Sequence, residues 1–152
     1  MGVKVYDLKS VVVTVGTVRV EGFGPNDAVQ FEWGDDLAVP EVGADGQVTV
    51  SKINNRSMAC VLTLMSTSES YRRLALLMDQ QWGVSTGITP PILVPLPFVM
   101  ADPLIGDLVT DETFVFLSRP APSKGRQAGV VQFRGLLPDP NVNYGSLNNR
   151  LV

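Results

Sequence analysis

Residues 59–83, ACVLTLMSTSESYRRLALLMDQQWG, change their hydrophobic period halfway along. The first six form an apolar run of strand length. Ser66-Thr67-Ser68-Glu69 then offers a capping box, with Ser66 as the N-cap and Glu69 three residues later. Apolar residues follow at Tyr71, Leu74, Ala75, Met78 and Trp82, a stripe that lets a helix lie on a sheet. Gly83 is a fitting C-terminal stop. This stretch predicts one flanking α-helix over residues 67–82, and no comparable helical stripe recurs in the chain.

Outward from the helix, the chain reads as strands. Residues 11–15 and 17–21 are rich in β-branched side chains and flank Gly16, which can supply the positive φ of a tight turn. Val29-Gln30-Phe31-Glu32-Trp33 alternates with period two, so Val29, Phe31 and Trp33 are expected on a buried face and Gln30 and Glu32 on the other. Gly43-Ala44-Asp45-Gly46 marks a turn into the alternating run at 47–50. On the far side of the helix, Pro90, Pro91, Pro95 and Pro97 punctuate the chain up to Met100. Prolines cannot donate ladder hydrogen bonds, so this segment is expected as an edge strand or an arm. Residues 113–117 and 130–134 read as the last strands, with a loop by composition between them. The fold class is therefore mainly β, a meander of antiparallel sheets in a β-sandwich or barrel-like arrangement. One domain is expected over 1–152, with an extended arm at 138–152.

With 152 residues, 45% of them hydrophobic, the chain can bury a core. No run approaches the roughly 18 apolar residues of a spanning helix, and the start carries no secretory pattern, so a soluble protein without membrane insertion is expected. Twelve basic against fifteen acidic residues give a net charge of −3, the wrong sign for an electrostatic nucleic-acid binder. There is one cysteine and no histidine, which removes any intrachain disulfide, the commonest general base and the commonest metal ligand. Asp35-Asp36 reads as a solvated loop pair, not an opposed acid and base. Cys60, inside an apolar strand, reads as a small hydrophobe. Gly22-Phe23-Gly24 lacks the helix that a phosphate-binding loop needs. No catalytic residue, cofactor or metal site is expected.

Charge placement says more than charge total. Between residues 20 and 51 every charge is acidic: Glu21, Asp27, Glu32, Asp35, Asp36, Glu41 and Asp45. Lys52, Arg56, Arg72 and Arg73 follow. A second acidic stretch holds Asp79, Asp102, Asp107, Asp111 and Glu112, and precedes Arg119, Lys124, Arg126 and Arg134. Such segregation suits head-to-tail self-association through complementary potentials. The expected inter-subunit contacts are Asp35, Asp36, Glu41, Asp45, Lys52, Asn54, Asn55 and Arg56.

The chain resembles the tail tube proteins of long-tailed bacteriophages, particularly the compact kind found with contractile tails. The resemblance runs through Tyr6-Asp7, the apolar run at 11–15 with Gly16, Gly22-Phe23, Val42-Gly43-Ala44-Asp45-Gly46, Asn54-Asn55-Arg56-Ser57, and Ser66-Thr67-Ser68 opening a helix. It covers residues 6–82; the proline-rich second half fits only in strand pattern. It implies a non-enzymatic subunit of hexameric rings stacked into a hollow tube in a virion tail. The implied partners are further copies, sheath, baseplate and tail terminator proteins, with DNA passing through without specific binding. Glu32 is then the candidate lumen residue. Two alternatives use the same residues: a tube subunit of a bacteriocin or secretion system, and a monomeric β-barrel whose Phe31, Trp33 and Phe114 line a small-ligand cavity.

Overall fold

A computed structural model describes residues 5–25, 28–82, 94–122 and 124–144. After a short 3-10 turn at Leu8–Ser10, ten strands and one α-helix follow in the described residues: β1 Val12–Val15, β2 Val18–Arg19, β3 Val29–Trp33, β4 Ala38–Val42, β5 Val48–Lys52, β6 Met58–Met65, α1 Glu69–Gln81, β7 Leu96–Asp102, β8 Asp107–Ser118, β9 Val130–Leu137 and β10 Asn141–Asn143. All pairings are antiparallel, so the fold is mainly β with one helix, as the sequence predicts.

The main sheet runs β2-β1-β7-β8-β9-β6-β3, with β10 on β8. It is not the simple meander expected from spacing, because β6 is inserted between β9 and β3. The sheet also folds over on itself. β8 is twelve residues long; its first half pairs with β7 and β10, and its second half with β9. The two halves of the sheet face each other across a dry interior. Phe31 on β3 meets Phe98 on β7 edge-on, with ring centroids 6.0 Å apart. Phe98 stacks on Phe114, and Phe114 abuts Phe116. Val13, Val15, Leu62, Leu64 and Phe133 complete this core with no measurable or almost no exposure.

The fold line in β8 is held by side chains that replace missing backbone partners. Val115 lies opposite Leu136 and Thr110 opposite Asn141, so β9 and β10 keep one register along β8 and are a single strand interrupted by Pro138-Asp139-Pro140. The two prolines have no N–H to donate. Asp111, buried beside the gap, accepts from the Asp139 N–H at 3.0 Å and from the N–H and hydroxyl of Thr113 at 2.7 and 2.8 Å. On the opposite edge, Gln81 at the helix end acts like a strand peptide. Its Nε2 donates to the Phe114 carbonyl at 2.7 Å, and its Oε1 accepts from the Phe116 N–H at 2.8 Å. Both carriers are 7% exposed or less, so the bonds they make satisfy groups that water cannot reach.

Three expectations are corrected here. Residues 96–100 are not an edge or an arm: β7 lies between β1 and β8. Its Pro97 is tolerated because the β7–β8 register shifts between Leu96 and Phe98, leaving no ladder bond for it to donate. The helix begins two residues later than the capping box implies. Ser68, not Ser66, is the N-cap, and its hydroxyl accepts from the Ser70 N–H while donating to the Glu21 carbonyl. The expected arm at 138–152 starts as strand, with Asn141–Asn143 on β8. Residues 145–152 lie outside the described residues, as do Gly83, Pro90 and Pro91.

The helix stripe is as predicted at Tyr71, Leu74, Ala75 and Met78, whereas Trp82 follows the helix end and is 40% exposed. Leu74 and Met78 are buried, and Tyr71 and Ala75 pack against the core. Leu74→Ala should destabilise the protein by about 2–5 kcal/mol, whereas Arg73→Ala on the exposed face should leave the thermal midpoint nearly unchanged. Equal midpoints for the two variants would show that the buried face is wrongly assigned.

Candidate assembly surfaces

Between β3 and β6 the chain leaves the main sheet and makes a separate hairpin of β4 and β5. Two β-strands alone are marginal in water, and this pair exposes apolar side chains instead of burying them. Pro40 lies opposite Val50 and Val42 opposite Val48, so all four share one face. Val42, Val48 and Val50 are 61–70% exposed, and Leu37 at the root is 90% exposed. Exposed apolar side chains gathered on one face make this hairpin a candidate contact surface. The charge pattern had not pointed to these valines. A usable signal existed: apolar runs on either side of an Asp-Gly turn, with no third strand nearby to cover them.

The residues expected at inter-subunit contacts divide into two groups. Asp36, Glu41, Asp45, Lys52 and Asn54 are exposed along the hairpin and its root. Asp35 and Asn55 instead bind each other within the chain, Asn55 Nδ2 donating to Asp35 Oδ2 at 2.6 Å. Asn55 Oδ1 accepts in turn from the N–H and hydroxyl of Ser57. With the Gly34 N–H donating to the Ser57 carbonyl and the Ile53 N–H to the Leu37 carbonyl, these contacts clasp the root of the hairpin. Arg56 makes an exposed ion pair with Asp139, 3.5 Å apart, which ties the root to the fold line.

Glu32 sits on the face of the β3-β6-β9 layer that points away from the core. Ala59 and Leu136 stand level with it, and Val61 and Arg134 stand level with Gln30. Small side chains on β6 thus form the floor of a shallow trough whose walls are Gln30 and Glu32 on one side and Gln132 and Arg134 on the other. Arg134 is the residue that sequence reasoning did not assign to this face. The opposite face is less buried than the alternation implied. β3 is the last strand of the sheet, so Trp33 is 47% exposed at its end. The second acidic stretch supplies no continuous surface, because two of its members serve turns. Asp111 holds the fold line, and Asp102 Oδ1 accepts from the N–H groups of Leu104 and Ile105. Asp27 lies outside the described residues.

Other chemistry finds little material among the described residues. No three His, Cys, Asp or Glu side chains converge as a metal site would require. No helix is long and apolar enough to cross a membrane. The aromatic trio of the ligand-cavity alternative is not gathered around one space: Phe114 is 1% exposed within the packed ring cluster, and Trp33 is half exposed at the end of the last strand. Cys60 has no exposure, and burial pushes its thiol up from 9.0 to about 12. A folded-state pKa above the unfolded one means that its contribution to stability is complete below pH 9 and declines as pH rises towards 12. The thiol should therefore resist alkylation in the native protein at pH 8 and react promptly in denaturant. Equal rates in the two conditions would contradict its burial.

No family model and no curated protein matches this sequence. Solved structures do share the fold. The chain is similar to the sheath/tube terminator of an extracellular contractile injection system, PVC, in its extended state, with TM-score 0.58 and 10% identity over 91% of this chain and 96% of that one. It is similar to the tube-terminating cap of the anti-feeding prophage, with TM-score 0.56 and 9% identity over 95% of each chain. It is also similar to a chain in the tail of an empty gene transfer agent particle determined with C6 symmetry, with TM-score 0.56 and 11% identity over 92% of this chain and 98% of that one. At these identities the likeness is one of fold.

Proposed function

We propose that this protein is a structural subunit of a phage-tail-like tube and works by self-assembly. The observation that carries the reading is the β4–β5 hairpin, a separate pair of strands whose valines find no cover among the described residues. The shared fold with tail and injection-system components supports it, and the six-fold symmetry of one of those tails favours rings of six. In this reading Asp36, Glu41, Asp45, Lys52 and Asn54 face neighbouring copies. Asp35, Asn55 and Arg56 act beside them by setting the angle at which the hairpin leaves the sheet. The trough face bearing Glu32 lines the channel, where Glu32 offsets Arg134 so that a passing polyanion such as DNA is not retained. The proposed location is a virion or particle tail, with sheath, baseplate and terminator proteins as partners. The terminator reading has its own support, since two of the similar structures cap tubes.

Electron microscopy and sedimentation of the purified protein over a wide concentration range test this. Long tubes are expected; single rings that never elongate would favour the terminator reading, and a persistent monomer would overturn both. Within the tubes, Glu32→Lys should leave assembly intact but cause retention of a labelled oligonucleotide that the unmodified tubes let pass. Equal passage through both would remove Glu32 from the channel wall.

A further inference from the structure

The two ends of the β3-β6-β9 layer carry opposite charge. At one end Trp33, Met58 and Leu137 stand level, and from there the hairpin projects with Asp36, Glu41 and Asp45 exposed. At the other end Met65 stands level with Val130, where β8 returns into β9 through residues 119–129. That connection exposes Arg119, Lys124 and Arg126 and contains no carboxylate. Seven steps along β6 separate the two ends, about 23 Å at roughly 3.3 Å per residue. The hairpin is rooted at the first of these ends, and its carboxylates outnumber its one cation, Lys52. At physiological salt the screening length is about 8 Å, so the two groups cannot neutralise each other within one molecule. Among the described residues, none of these six side chains has an ion-pair partner.

Where β8 runs into this basic connection, it also offers apolar surface, beginning at Phe116 level with Gly135 and Cys60. Met78, Trp82, Phe116 and Leu117 line a shallow depression that also holds Asp79, Ser118 and Arg119. Trp82 is held there by its indole N–H, which donates to the Phe116 carbonyl at 3.0 Å, yet it remains 40% exposed, and Leu117 is 48% exposed. One surface is thus valine bordered by carboxylates, and the other is an apolar hollow that carries Asp79 and runs at Arg119 into the basic connection.

We infer that the hairpin of one copy seats on the β8–β9 end of the next copy. Val42 and Val48, beside the hairpin turn, fill the hollow under Trp82 and Leu117. Glu41 and Asp45 meet Arg119, Lys124 and Arg126. Donor and acceptor are different surfaces, so each docking event leaves one of each unfilled and the contact repeats from copy to copy. The inference rests on the tube reading and deepens it by naming the acceptor surface.

A charge-reversal pair tests it on the full chain. One variant carries Arg119→Glu, Lys124→Glu and Arg126→Glu; the other carries Asp36→Lys, Glu41→Lys and Asp45→Lys. All six positions are exposed, so both variants should keep the circular dichroism of the parent. Each variant alone should assemble at least tenfold more weakly than the parent, because like charges meet at every junction. Mixed in equal amounts they should co-assemble, since each then supplies the complement of the other. A parent that assembles while both variants assemble equally well alone, or a mixture that stays dissociated, would overturn this docking and leave the tube reading intact. A parent that never assembles would overturn the tube reading itself.

Discussion

Replacing residues 37–53 by Gly-Gly is expected to yield a folded monomer that forms neither rings nor tubes at any concentration. The cut is placed where the chain closes on itself, since the Ile53 N–H donates to the Leu37 carbonyl at 3.0 Å. Two residues can bridge ends that close, and the Asp35–Asn55 clasp stays on the retained side of the junction. The hairpin contributes no residue to the hydrophobic core, so its loss should leave β-type circular dichroism and the thermal midpoint close to those of the parent. Assembly should drop below detection by sedimentation. Normal tubes from this variant would mean that the exposed valines serve no contact between copies.

The second large effect is expected at Gly135. This glycine stands level with Cys60 on one side and Phe116 on the other, in the middle of the sheet. A Cβ there would overlap the ring of Phe114. The ring cannot retreat, because it stacks on Phe98 with centroids 5.4 Å apart and abuts Phe116 at 4.9 Å. Overpacking a core typically costs about 1–3 kcal/mol, and a clash with a ring fixed on two sides belongs at or above the top of that range. Gly135→Ala should lower the thermal midpoint by several degrees, at about 2–4 °C per kcal/mol for a chain of this size. Gly135→Val should not accumulate as folded protein. Phe114→Leu should recover part of the loss in the Gly135→Ala background. An alanine variant as stable as the parent would mean that the aromatic cluster is looser than its geometry indicates.

These two positions differ in how far sequence alone could reach them. The hairpin was legible as a turn, because Asp45-Gly46 between β-forming runs specifies it locally. Its exposure was not legible, since an alternating strand looks the same whether or not another layer covers it. Gly135 gave no signal at all. A glycine near the end of a predicted strand is ordinary, and only the approach of Phe114 from a neighbouring strand makes it indispensable.

The same division runs through the whole protein. Periodicity marked β3, β6 and the Leu74–Met78 stripe of α1, because each residue there repeats the same backbone geometry and the pattern is written every two or every three to four positions. Composition likewise pointed away from histidine and disulfide chemistry. The first half of β8 escaped notice, since Thr110-Asp111-Glu112-Thr113 reads as polar loop. It is strand because β7 and β10, distant in the chain, pair with it on either side, while Asp111 and Gln81 supply the hydrogen bonds that the backbone lacks at the fold line. Pro97 could enter a central strand only because a register shift spares it a ladder bond. The acidic and basic runs were visible as runs, but their separation to opposite ends of one layer follows from the pairing of β6 with both β3 and β9. Local patterning is set by neighbours in the chain and is written in the sequence. Which strand lies beside which, and hence which face, edge or end a side chain occupies, is set by contacts between residues far apart in the chain, and the folded structure alone decides it.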